Sequence, residues 1–271
     1  MSQTVTARRD TERWSIRRVV PLTEIELKAL FSEGRTLVSS LLLEPAAQLV
    51  LLAAGLQGLI GDDGDFYNGH SYLMFVLPGL FCLQALRAFS RTMYRTVLDR
   101  QWGMLTIKRL AGAGGLGYTL SKIVAPSIAL IVQIIMMAWI AMLMGGRFGI
   151  LPFVGATVLS MFAVMFWSSL AIIVTGFVRD YVARDMIVGW MMLPLSLSAP
   201  VFYSLDTAPA YLQWIARFNP LAYQVQAIRD MLLEVTLGTP GIAMVILALV
   251  SCAAATISVS WGDALTSEGG R

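Results

Sequence analysis

The chain is poor in the residues that build most enzyme sites. It has one histidine, His70, and two cysteines, Cys82 and Cys252, among 271 residues. Both cysteines lie inside apolar runs, so neither a disulfide framework nor a metal cluster is expected, and the thiols read as small apolar core residues. No Ser-His or His-Glu-His arrangement is present, and His70 falls in a loop, which leaves an intramembrane enzyme as the weakest functional class. Charge is scarce too, at 14%, where a soluble domain carries about a quarter. Residues 1–36 are mixed in charge and lack the short apolar stretch and small-residue cleavage site of a signal peptide, so no processing is expected.

What fills the chain instead is apolar: 57% hydrophobic residues and a mean hydropathy of +0.70. Six runs approach or exceed the roughly 20 residues that cross a hydrocarbon layer about 30 Å thick: Leu37–Ile60, Tyr72–Phe89, Ile123–Met144, Leu151–Phe177, Met186–Tyr203 and Pro240–Trp261. They are continuous rather than alternating, which predicts helices and excludes a barrel. The expected fold is an all-α membrane protein with six transmembrane helices. An even number of spans puts both termini on one side. All but Arg147, Arg217 and Arg229 of the 20 Lys and Arg fall on that side, which the positive-inside rule makes cytoplasmic. The basic pI of about 9.0 is therefore a topological signature and no sign of nucleic-acid binding.

This topology divides the chain into a cytoplasmic segment 1–36, a membrane domain 37–261 and a cytoplasmic tail 262–271. Within the membrane domain, the loop 91–122 is cytoplasmic and the segment 205–233 external. In the cytoplasmic loop, Arg95, Asp99, Arg100 and Lys108 interleave with Val97, Leu98, Trp102, Leu105 and Ile107, a pattern that predicts a helix leaving the bilayer to offer a surface to the cytosol. "GAGGLG" at 112–117 formally satisfies a dinucleotide-binding fingerprint and nearly a P-loop. Tyr118 stands where the P-loop needs lysine, and neither a preceding strand nor room for a sheet exists. The glycines read as a turn back into the membrane.

In the external segment, Asn219 is placed to cap a helix whose first residue is Pro220, a proline that forfeits nothing there because its N–H would be unpaired. Leu221, Val225, Ile228 and Leu232 recur at helical spacing and give that helix an apolar side. Inside the membrane, Glu44 and Gln48 share one helix face, Gln84 and Arg87 lie on the second span, and Gln133 on the third. Pro45 beside Glu44 is expected to kink the first span. Two readings stand for Glu44: lining a translocation path, or pairing with Arg35 or Arg87.

Five stretches taken in order resemble one family, the membrane subunits of type-2 ATP-binding-cassette (ABC-2) exporters. They are "LTEIELKALFSEGRTL" before the first span, "EPAAQLVLLAAGLQGLIG" within it, "YLMFVLPGL" opening the second, "DRQWGMLTIKRL" in the cytoplasmic loop and "NPLAYQVQAIR" before the last span. Lipo-oligosaccharide permeases are the nearest in character, with drug exporters close behind. The resemblance implies a dimer of permeases, a second copy of this chain or a related one, embedded in membrane lipids of a bacterial plasma membrane. It implies two ABC ATPase subunits that bind ATP and Mg, with no cofactor, metal or catalytic residue in this chain. The N-terminal helix would lie along the membrane surface. Asp99, Arg100, Trp102, Gly103, Leu105 and Arg109 would form the coupling element; Asn219, Pro220 and Arg229 the external gate; and Glu44, Gln48, Gln84 and Arg87 the substrate path. Where the family often carries a glutamate-rich stretch before the loop glycine, this chain has Asp99, Arg100, Gln101 and Trp102. The rival expectation, an ion-coupled secondary transporter, needs acidic groups near the midplane, and only Glu44 qualifies.

Overall fold

The computed structural model describes residues 19–32, 34, 39–55, 69–110, 114–178 and 180–268. Among them there is no β-strand, as an apolar medium that leaves no backbone group to water requires of an open chain. The helices are α1 (Val19–Phe31), α2 (the consecutive turns Ser39–Leu43, Glu44–Ala47 and Gln48–Ala54), α3 (Tyr72–Gln101), α4 (Met104–Leu110) and α5 (Gly115–Leu143). They continue with α6 (Ile150–Thr175), α7 (Tyr181–Ser198), α8 (Ala210–Ala216), α9 (Pro220–Arg229, running into a wide turn Asp230–Glu234) and α10 (Thr239–Glu268).

Four described helices are long and apolar enough to cross a membrane: α3, α5, α6 and the Thr239–Ser260 part of α10. The other two expected spans are helical but differ from that pattern. In α2 the winding changes around Pro45, with wide π-type turns on either side of the short α-helical Glu44–Ala47. A proline lacks the N–H for the helical bond and its ring presses on the carbonyl four residues back, so adding a residue per turn relieves both. Helix α7 starts ahead of Met186 and carries Arg184 and Asp185 in its opening turns. Two further boundaries move for the same reason: α3 runs past Phe89 to Gln101 and α5 begins ahead of Ile123. Polar residues prolong these helices because their buried partners lie at the helix ends, as shown below.

Helix α3 is the centre of the bundle, packed against α6, α5 and α9. From Tyr72 to Cys82 every residue of it is buried. Its neighbour α6 presents Ala156, Ser160, Ala163, Ala171 and Thr175, all fully buried alongside Trp167, and small residues such as these let membrane helices approach closely. Trp167 meets Phe89 edge-on at 6.4 Å between ring centroids, and Thr92 donates a hydrogen bond to Ser168 at 3.2 Å. Helix α10 closes the bundle with Met244, Ala248, Cys252, Ala255 and Val259 turned inward, while Ile242, Ile246, Leu249, Val250 and Ile257 face out. Where α5 begins, a Cβ on Gly115 would stand 2.8 Å from the Thr256 carbonyl oxygen, so this glycine serves helix contact with α10 as well as the turn.

Candidate functional site

At one end of the bundle four buried charges meet. Lys122 of α5 donates to Glu26 Oε1 of α1 at 2.7 Å and lies 2.8 Å from Asp99 Oδ2 of α3. Lys108 of α4 donates to the same two carboxylates, at 3.0 Å and 2.9 Å. The Tyr118 hydroxyl donates to Asp99 Oδ2 at 3.0 Å, and its ring lies 5.6 Å and 5.5 Å from the two ammonium nitrogens. Two carboxylates and two ammoniums alternate and cancel one another, and the half-buried Arg95 of α3 stands further off, 3.8 Å from Glu26 Oε2. That balance is what makes burial tolerable, since an isolated ion in so dry a place costs several kcal/mol. Burial pushes the Glu26 carboxyl up, but Lys122 and Lys108 outweigh it and hold the group below the ordinary carboxylate range. Burial likewise depresses Lys108, and Glu26 and Asp99 more than restore it, leaving it above the ordinary lysine value.

Four helices are tied by these contacts: α1, α3, α4 and α5. Of the four charges, the loop pattern includes Asp99 and Lys108, and only Asp99 is among the coupling residues that the resemblance implies. The signal for Glu26 is its place four residues after Leu22, on the same buried face of α1. The opposite face of α1 carries Val20 and Ile25 exposed, with Lys28 and Glu24 paired at 2.6 Å.

The α3–α4 joint turns on Gly103, whose φ of +67° belongs to the left-handed region that favours glycine. Trp102 closes the last turn of α3 through its N–H to the Leu98 carbonyl at 3.0 Å. Past the joint, α4 is two-sided. Trp102 is 73% exposed and Ile107 57%, whereas Leu105 packs inward against the cluster of Tyr118, Ile172, Ala255 and Val259. Of the residues expected in the coupling element, Trp102 is thus exposed while Leu105 is turned toward the bundle, by the helical phase that Lys108 in the cluster sets. Arg100 is partly buried beside the joint, and Arg109 falls within α4, its side chain outside the described part.

The four substrate-path candidates form one ladder between α2 and α3. Glu44 is ion-paired with Arg87, and Gln84 donates to Gln48 Oε1 at 3.0 Å. Glu44's side chain remains 48% exposed. Of the two partners open to Glu44, the structure brings up Arg87; Arg35 lies outside the described residues.

At the other end, α9 enters the bundle and packs against α3, α6 and α10. Leu221, Val225, Ile228 and Leu232 are all buried, so the apolar side faces inward. Asn219 caps α9 by accepting from the Leu221 N–H at 2.9 Å. Its amide also donates to the Leu195 carbonyl at 2.8 Å and to Ser198 Oγ at 2.9 Å, both in α7. Pro220 holds the first helical position. Arg229 is 2% exposed, donates to the carbonyls of Phe75 and Pro200 at 3.2 Å and 2.7 Å, and stacks its guanidinium 3.8 Å from the Phe75 ring centre. Tyr72 adds a bond to the Phe202 carbonyl at 3.0 Å. Residues 195–202 are thereby stitched to α3 and α9. Gly79 permits the fit, because a Cβ there would come within 2.7 Å of Val201 Cγ1. A residue the pattern does not mark, Gln224, accepts from Trp167 Nε1 at 2.8 Å deep between α9 and α6.

A helical bundle of this kind, apolar outside, tied by paired charge at one end and holding the buried helix α9 at the other, defines a membrane-integral helical protein. The chain belongs to the ABC-2 type transporter family, whose model matches residues 24–233, a span that holds the charge cluster, α4 and all of α9. It is also similar to a protein of Cyanophora paradoxa provisionally named transport permease ycf38, with 26% identity over 199 residues, covering 72% of this chain and 67% of that one. Membership in this family makes the chain a transport subunit and implies partnership with ABC ATPase subunits.

Proposed function

We propose that this chain is the membrane subunit of an ATP-driven exporter in a bacterial plasma membrane, crossing six times with both termini in the cytosol. Two permease copies and two ATPase subunits, which bind ATP and Mg, make the working unit. The cargo is lipid-linked, glycolipid or amphipathic, and it leaves by alternating access. The observation that carries the reading is α4: a short helix bolted through Lys108 to α1 and α3, with its Ile107 and the neighbouring Trp102 turned outward. Push on that surface and the ends of α1, α3 and α5 move with it, since separating the charges would strand ions in a dry interior. At the far end, α9 and residues 195–202 act as the outer gate through Asn219 and Arg229. The α2–α3 ladder of Glu44, Gln48, Gln84 and Arg87 lies beside the path. The pairing of Glu44 with Arg87 favours ATP drive over ion coupling, which needs a carboxylate that exchanges its ion.

The test is co-purification from native membrane followed by reconstitution. An ATPase is expected to accompany the chain, and its ATP turnover to depend on the chain. Transport by the purified chain alone, with no ATPase present, would sink the proposal.

A further inference from the structure

Beside the charge cluster, α1, α3, α5 and α7 enclose a cavity of about 240 Å³. Its wall carries four cationic side chains, Arg91, Arg95, Lys122 and Arg184, against the single carboxylate of Glu26. Glu26 itself faces Lys108, Lys122 and, at 3.8 Å, Arg95, so cations outnumber carboxylates in the lining of the cavity. Arg184 is held in place by stacking its guanidinium 4.8 Å from the Tyr94 ring centre. One of its nitrogens reaches Asp185, 3.1 Å away on a carboxylate that is itself two-thirds exposed. Its Nε is buried with no acceptor among the described residues, and a buried donor of that kind calls for an anion or water. The remaining wall is apolar: Ala125, Pro126 and Ala129 of α5.

The position of the cavity selects its ligand. It begins at Ser90, just past the apolar run that ends at Phe89, so it lies at the boundary between hydrocarbon and polar layers. Planar guanidinium groups suit phosphate oxygens, and basic pockets between membrane helices take lipid head groups. The volume is below that of a pocket for a drug-sized molecule, large enough for a head group with its acyl chains lying outside along α5. We propose that this cavity binds the phosphate of an anionic phospholipid, with Arg91 and Arg184 as its main contacts. The proposal rests on the chain being membrane-integral, and not on the direction or energy source of transport.

The full chain in nanodiscs of phosphatidylcholine, with or without phosphatidylglycerol, is exchanged into detergent, and retained lipid is counted by native mass spectrometry. Wild type is expected to retain phosphatidylglycerol about tenfold better than Arg91→Gln/Arg184→Gln, the scale of losing charge-assisted hydrogen bonds. Arg147→Gln should behave as wild type. Equal retention by the double variant overturns the site. Inorganic phosphate is the second arm: if it raises the unfolding temperature of lipid-free wild type but not of the double variant, the ligand is free phosphate and the lipid assignment falls. A third measurement does not depend on the double variant folding. Phosphatidylglycerol vesicles are expected to slow alkylation of Ser90→Cys while phosphatidylcholine vesicles do not, with little background from the buried Cys82 and Cys252; equal rates overturn the proposal.

Discussion

Replacing Glu26 by glutamine would leave Lys108 and Lys122 sharing one carboxylate in a space where Glu26 is 4% exposed. Breaking a buried pair from one side costs about 3 kcal/mol or more, so Glu26→Gln is expected to lower the unfolding temperature in detergent clearly, and an unchanged value would refute the cluster as a structural tie. The same groups set a pH window. The depressed Glu26 contributes stability that is present above the unfolded carboxylate range and lost as pH falls through its lower folded value. The raised Lys108 contributes stability present below the unfolded lysine value and lost as pH rises through its higher folded value. Protease resistance of α1 is therefore expected to hold from about pH 5 to about pH 10 and fall on both sides. Asn219 shows the other kind of residue. Its cap on Leu221 is local and legible in the Asn-Pro pair, worth about 1 kcal/mol. Its bonds to Leu195 and Ser198 are not, since those partners are 24 and 21 positions away. Asn219→Ala should thus cost about 2 kcal/mol in a denaturation series, and a loss no larger than an ordinary cap would discount the α7 contacts.

For the elements, α4 gives the sharpest contrast. Its charge and apolar content are plain in "DRQWGMLTIKRL", yet which side faces the bundle depends on where Lys108 finds its carboxylates. Ile107→Asp is expected to leave the fold and thermal stability intact while lowering ATPase co-purification and turnover. Leu105→Asp should instead destabilise the chain itself, because it places a charge against Tyr118 and Ile172. If the two variants exchange these effects, the orientation of α4 is wrong. Helix α2 carries a similar lesson: Pro45 announces a break, but the wide turns on both sides of it follow from how the chain relieves the proline, which composition does not encode.

Across the whole molecule, the proposed topology puts Trp102 on the cytosolic side and Phe218, also 73% exposed, on the outer side. A membrane-impermeant thiol reagent applied to right-side-out vesicles is expected to label Phe218→Cys and spare Trp102→Cys; the reverse pattern would invert the topology. What the sequence determined by itself is the medium and the class of element. Long continuous apolar runs must satisfy their backbone polar groups internally, so they become helices in lipid, and their basic flanks bias the orientation. Tertiary structure alone decided which polar groups meet. Glu26 and Lys122 are 96 positions apart and Arg229 and Phe75 are 154 apart. A dry interior demands that every such group find a partner, but nothing local in the chain says which one, because the choice is made only when α1 folds back on α5 and α9 slots in beside α3.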